Sequence, residues 1–263
     1  MKNNNGYKFI PLSINRQILI ASASVTREKN AIHGFTEVDI SISRRFIKEH
    51  YERTGEKLSL TAYIVACLAQ VVKEFPQMNS FIKGRRIVNL DDVTISVLVE
   101  REIKGEQVPE PVGIKETQNK TFYQIQKEIR EAKKIKSDRL GSLENQAWIR
   151  FIPNFLLKTF VRLADKNISM AKRYGKIAVT AVGMFSNEPV WFLPHGSGTV
   201  LITVGSISNK VVEIDGKFVS REHLCLTASF DHNIIDGAPA ARFMNRLIEE
   251  IKSGRLLLMD AHG

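Results

Sequence analysis

A chain of 263 residues with 43% hydrophobic and 25% charged residues reads as globular, with apolar content for one large core or two small ones. The net charge of +10 (38 Lys+Arg against 28 Asp+Glu) fits either a merely soluble surface or an anionic partner. Nucleic acid is excluded as that partner, because the basic residues are spread along the chain, with only small clusters at Arg85-Arg86 and Lys133-Lys134, and no recognisable module accompanies them. Cys67 and Cys225 each lie in an apolar run, and no Cys/His spacing suits a metal.

The polar start, Met1 to Gly6, has no apolar stretch of the signal-peptide kind, so a cytoplasmic protein is expected. Tyr7 to Pro11 reads as an extended arm. Ser13 caps a helix over residues 14–22, in which Arg16 is either solvated or buried against a carboxylate. Residues 35–42 alternate apolar and polar as a half-buried strand does. Ser43 is placed as the cap of a polar helix ending at Gly55. Ser59 opens the clearest helix, apolar over most of its circumference and stopped by Pro76. A hairpin is expected around Gly84, a strong strand at 93–99, and a short strand at 112–114 after Pro109 and Pro111. An amphipathic helix follows from Thr121 to Lys134.

Residues 147–164 mix many large apolar side chains with Arg150, Lys158 and Arg162. Their charge rules out a membrane span. A core or subunit-contact helix is favoured over one lying on a membrane surface, because the apolar face is broad. Strands are expected at 177–182 and 199–204, then a hairpin turning at Asp215-Gly216. No repeat or linker divides the chain, so residues 1–263 read as one α/β domain.

The chemistry concentrates near the end. A strand-like run at 224–228 leads into Ser229-Phe230-Asp231-His232-Asn233-Ile234-Ile235-Asp236-Gly237, and a helix-like run leads out at 240–248. A histidine at a strand-to-turn junction can be held rigid yet face a substrate, as a general base must, although a lone histidine is more often structural than catalytic. Asp236, just before a glycine, is read as fixing the loop in preference to orienting the base.

His232-Asn233-Ile234-Ile235-Asp236-Gly237 forms an HxxxDG pattern, extended by Ala240-Ala241-Arg242-Phe243. It resembles the active-site signature of the catalytic domain of dihydrolipoamide acyltransferases, the core components of 2-oxo acid dehydrogenase complexes; chloramphenicol acetyltransferase shares the fold group. Glu37 to Ser41, Pro76 to Ser80, Thr94 to Val97 and Thr180 to Phe185 follow in family order. The likeness runs from about Arg16 to Gly254 and is weak between Glu102 and Arg173.

The resemblance implies an α/β (α+β) two-layer sandwich with a mixed central sheet, forming trimers or larger assemblies of trimers. It implies that His232 deprotonates a thiol of coenzyme A or dihydrolipoamide, and that a hydroxyl stabilises the oxyanion. That hydroxyl is usually a serine, here Thr180, which reads equally well as an ordinary β-branched strand residue. Asp236 would brace the loop with Arg16, beside Gly237, and the histidine would hold its tautomer through its own carbonyl. Base and hydroxyl would come from different subunits. Coenzyme A enters as a substrate, and a lipoyl group only if another chain carries it, since no lipoyl or peripheral-subunit-binding domain is recognised here; an acidic lipoyl carrier would suit the basic charge. Asn233 departs from the usual arginine. The alternatives are transfer to a non-lipoyl acceptor and a non-catalytic scaffold.

Overall fold

The computed structural model describes residues 6–103, 106–134, 154–183, 186 and 188–259. Ser13 opens the first helix, α1 (Ile14–Thr26), with its hydroxyl accepting the Arg16 amide at 3.2 Å. Strand β1 spans Ala31–Asp39, earlier than the alternation suggested, and α2 (Ser41–Thr54) begins where the strand was expected to continue. Ser43 is therefore inside α2 and does not cap it; its hydroxyl donates to the Ile40 carbonyl at 2.9 Å. Gly55 ends α2 at φ 73°, the left-handed conformation that glycine adopts freely. Ser59 caps α3 (Leu60–Glu74), which is buried nearly all round, as its apolar circumference requires.

A small hairpin, β2 (Ser80–Lys83) and β3 (Arg86–Asn89), precedes β4 (Ile95–Ile103) and β5 (Glu106–Ile114). Pro109 and Pro111 lie inside β5, not before it. This is permitted because β5 is the last strand of its sheet, and two residues of like parity can turn their missing N–H groups away from β4. Helices α4 (Phe122–Lys134), α5 (Asn154–Asp165) and α6 (Ile168–Tyr174) follow. The first part of the expected 147–164 helix lies outside the described residues. In α5, Leu157 is buried while Phe155, Leu156, Phe160 and Leu163 are exposed.

The C-terminal third holds β6 (Ile177–Ala181), β7 (Val200–Ile214), β8 (Lys217–Asp231), α7 (Gly237–Ser253) and α8 (Arg255–Met259). Six strands form one mixed sheet in the order β1-β8-β7-β6-β4-β5, with β6 parallel to both neighbours and the other pairs antiparallel. One core runs between one sheet face and α2, α3, α4 and α7. On that face Ile95, Ile177, Val179, Val200, Ile202, Leu226 and Ala228 are buried. The opposite face carries Ser96, Thr180, Thr203, Thr227 and Ser229, as the two-residue strand period dictates. This is the two-layer, mixed-sheet architecture expected.

Phe243 of α7 is fully buried and stands edge-on to Phe75 (5.6 Å) and Phe230 (5.9 Å). Its burial contributes about 2–3 kcal/mol. Phe230 is the penultimate residue of β8, so this aromatic cluster anchors the strand and the helix on both sides of the turn at 232–236.

Candidate active site

The turn is built by Asp231. Its carbonyl accepts the amides of Ile234 and Ile235, each at 3.0 Å. Its buried carboxylate accepts the Asn233 amide at 3.1 Å and the Asn233 side chain at 2.8 Å. A short Asx-type turn of this kind lifts residue 232 clear of the sheet. The His232 amide donates back to the Asn30 carbonyl at 2.6 Å, so the backbone is clamped from the β1 side as well.

The His232 side chain is 43% exposed. Its Nδ1 lies 3.0 Å from the Ile235 carbonyl, an acceptor only, so Nδ1 carries the proton and Nε2 keeps the free lone pair. The tautomer is thus set by Ile235 and not by the histidine's own carbonyl, the partner expected from the sequence. The arrangement leaves a half-exposed base directed to bind a proton at Nε2.

Asp236 is the N-cap residue of α7, with a side chain 84% exposed and Oδ1 3.6 Å from His232 Nδ1. Water screens such a carboxylate, and its side chain makes no capping hydrogen bond to α7. Arg16 lies exposed in the first turn of α1. Gly237 opens α7, and a Cβ there would meet nothing within 4 Å.

Thr180 is half-buried on β6 and aligns across the sheet with Thr203 of β7, which aligns with Thr227 of β8. His232 is five residues beyond Thr227, about 16 Å along the sheet at ~3.3 Å per residue, and two strands across. Within one chain the two expected catalytic groups are therefore not brought together.

Other residues beside the turn carried no signal in the sequence. A cleft of about 330 Å³ is lined by Lys29, His33, His195, Ser229 and Asp231. His33 Nδ1 lies 2.7 Å from Ser229 Oγ because Ser229 pairs opposite His33 in the β1–β8 register. Lys29 Nζ is 3.2 Å from the Asp231 carboxylate. Such contacts depend on strand register, which local patterning does not specify.

Residues 30–147 and 163–259 match the model of the 2-oxoacid dehydrogenases acyltransferase (catalytic domain) family. The chain belongs to this family. The gap between the two matched blocks takes in most of α5, in the region where the sequence likeness is weak. A curated relative from Bacillus subtilis, the lipoamide acyltransferase component of the branched-chain alpha-keto acid dehydrogenase complex, is 26% identical over 94% of this chain and 53% of its own length. The chain thus spans about half the length of the curated relatives it matches. Among solved structures, the dihydrolipoamide acetyltransferase of Azotobacter vinelandii is 21% identical with a TM-score of 0.71, covering 97% of this chain and 95% of that one. That protein was investigated for the catalytic roles of a serine, a histidine and an asparagine. The cubic core of a pyruvate dehydrogenase multienzyme complex is 20% identical with a TM-score of 0.72 and the same coverage. These structures share the family fold.

Proposed function

We propose that this chain is an acyltransferase that moves an acyl group between coenzyme A and a thiol acceptor such as dihydrolipoamide. The observation that carries the reading is the His232 geometry: Nδ1 held by the Ile235 carbonyl at 3.0 Å, Nε2 with no partner among the described residues, and the ring half-exposed. Nε2 removes the proton from the incoming thiol. The thiolate sulfur attacks the carbonyl carbon of the acyl thioester and a new C–S bond forms. The resulting oxyanion collapses, the original C–S bond breaks, and the departing thiolate takes the proton back from His232.

Thr180, supplied by a neighbouring copy, donates its hydroxyl to the oxyanion, an effect of about 2.7–4 kcal/mol in comparable sites. The separation of His232 and Thr180 within one chain supports a shared site in a trimer, or in a larger assembly of trimers such as the cubic core that its structural relative forms. Asp236, braced by Arg16 beside Gly237, keeps the loop in place. The net charge of +10 favours coenzyme phosphates and an acidic, lipoyl-bearing carrier.

The test is acyl transfer from a panel of acyl-coenzyme A thioesters to dihydrolipoamide, with His232→Ala as control. Transfer that is unchanged in the control sinks the mechanism. No transfer to any thiol or amine acceptor favours a scaffold.

A further inference from the structure

The imidazole of His232 has little to hold it. Among the described contacts, its ring meets the Ile235 carbonyl at 3.0 Å and the exposed Asp236 carboxylate at 3.6 Å. Its direction is therefore inherited from the backbone of the turn, and what fixes that backbone fixes the base.

Four charged side chains converge behind the turn. Lys29, Asp231, Lys176 and Asp165 have side chains 16%, 5%, 6% and 10% exposed. Lys29 Nζ lies 3.2 Å from Asp231 Oδ2 and also donates to the Ser197 carbonyl. Lys176 Nζ donates to the Asp165 carboxylate at 2.7 Å and to the Asp165 carbonyl at 2.6 Å.

The backbone joins the two pairs. The Lys176 carbonyl accepts the Thr199 amide at 2.6 Å, and the Thr199 carbonyl accepts the Asp231 amide at 3.0 Å. The turn at Gly196–Thr199 is thus a hub, with one ion pair on each side. From Asp231 the chain of contacts runs to Asn233, then to the Asn30 side chain at 3.0 Å, and closes at the His232 amide.

Two lysines and two aspartates balance one another, and each is buried enough that losing a partner leaves an uncompensated charge. Room to relax is available. A cavity of about 440 Å³ between α1, α5 and α6 is lined by Asp165, Lys176 and Ser197, and it shares Thr26, His195 and Gly196 with the cleft at Lys29 and Asp231. A broken cluster would therefore shift and not stay locked by packing.

We propose that Lys29, backed by the Asp165–Lys176 pair through the Gly196–Thr199 turn, is a positioning residue that holds His232 in its productive orientation and tautomer. The inference rests on the acyl-transfer reading and adds residues from α5, from the loop before β1 and from the segment before β7. Lys29 does not touch substrate; it acts through Asp231 and Asn233.

The experiment uses the full chain in its native assembly. Lys29→Met is expected to lower kcat for transfer from acetyl-coenzyme A to dihydrolipoamide by ~30-fold, with KM changed by less than about twofold, since misplacement of a catalytic group by about 1 Å costs up to ~100-fold. Lys29→Arg, which keeps the pair, should recover most of the rate. Independently, ¹⁵N-histidine NMR should show His232 with its proton on Nδ1 in the unaltered protein and a mixture of tautomers in Lys29→Met. If Lys29→Met does not fold, the paired change Asp165→Leu with Lys176→Met, which removes both charges together, carries the same expectation. A full kcat with an unaltered tautomer in either variant overturns the proposal. If the unaltered protein transfers no acyl group, the proposed function falls while the NMR comparison still decides the clamp.

Discussion

Mixing two disabled variants, Thr180→Val and His232→Ala, is expected to regenerate activity that neither has alone. The reasoning is geometric. Thr180 shares a cross-strand row with Thr227, and His232 is five residues past it. Rise along the strands contributes ~16 Å and two interstrand steps add ~10 Å at right angles, so the groups of one chain are ~19 Å apart. An oxyanion donor must come within about 3 Å of the reacting oxygen. If both residues act as proposed, a working site takes His232 from one copy and Thr180 from another. Thr180→Val keeps the shape and removes the donor, for an expected loss of ~100- to 1,000-fold. His232→Ala removes the base, for a loss of ~100- to 10,000-fold. In a symmetric assembly formed at random from equal amounts, half the sites have an intact histidine and half of those meet an intact threonine, so the mixture should reach about a quarter of the normal rate per chain. The assay is thiol release from acyl-coenzyme A after the two proteins have been unfolded in urea and refolded together. A mixture no more active than the mean of its parents would refute the shared site.

Phe243→Ala should cost about 3–5 kcal/mol in urea unfolding, because the ring is fully buried between Phe75 and Phe230 and leaves a cavity under the turn at 232–236. Gly183→Ala should lower the thermal midpoint by several degrees, since a Cβ there would collide with the Gly205 carbonyl beside the end of β6; an unchanged midpoint would show that the loop gives way freely. Burial, the largest single influence, works to raise the Asp165 carboxyl, but Lys176, Ser197 and Lys29 together outweigh it and hold its pKa below the ordinary carboxylate value. Its stabilising contribution is therefore complete above about pH 4 and is lost as pH falls through the lowered value. Asp165→Asn should destabilise the protein by about 3 kcal/mol at neutral pH and flatten the loss of stability below pH 3.8, read as urea midpoints across the acid range.

The features that local chemistry controls were legible in the sequence. Ser13 and Ser59 cap helices as their side chains predict, Gly55 and Pro76 mark helix ends, and Asp215-Gly216 turns the β7–β8 hairpin with φ of 51° and 74°. The strand-turn-helix setting of His232 was equally plain. β7 was not, because an irregularity between Val204 and Ile207 breaks the alternation in mid-strand and makes one long strand look like two. Helices α6 and α8, of seven and five residues, are too short to show a period. The clamp behind the turn was invisible for a different reason: Asn30 and Asn233 are 203 positions apart, and only the β1–β8 pairing brings them together.

The carbonyl of Ile235 also bears on how the proposed site serves two different thiols. A buried carboxylate at Nδ1 would stabilise the imidazolium strongly and make the proton slow to leave. A neutral carbonyl orients the ring without capturing the charge, and the exposed Asp236 carboxylate is screened by water. Exchange of an acyl group between two thiols is close to thermoneutral, and one group must take the proton from either thiol and return it to the other. With Nδ1 engaged by the Ile235 carbonyl, the same atom, Nε2, serves both the incoming and the departing thiol, and the direction of net transfer is set, as for any catalyst, by the relative concentrations of the two thioesters and the two free thiols.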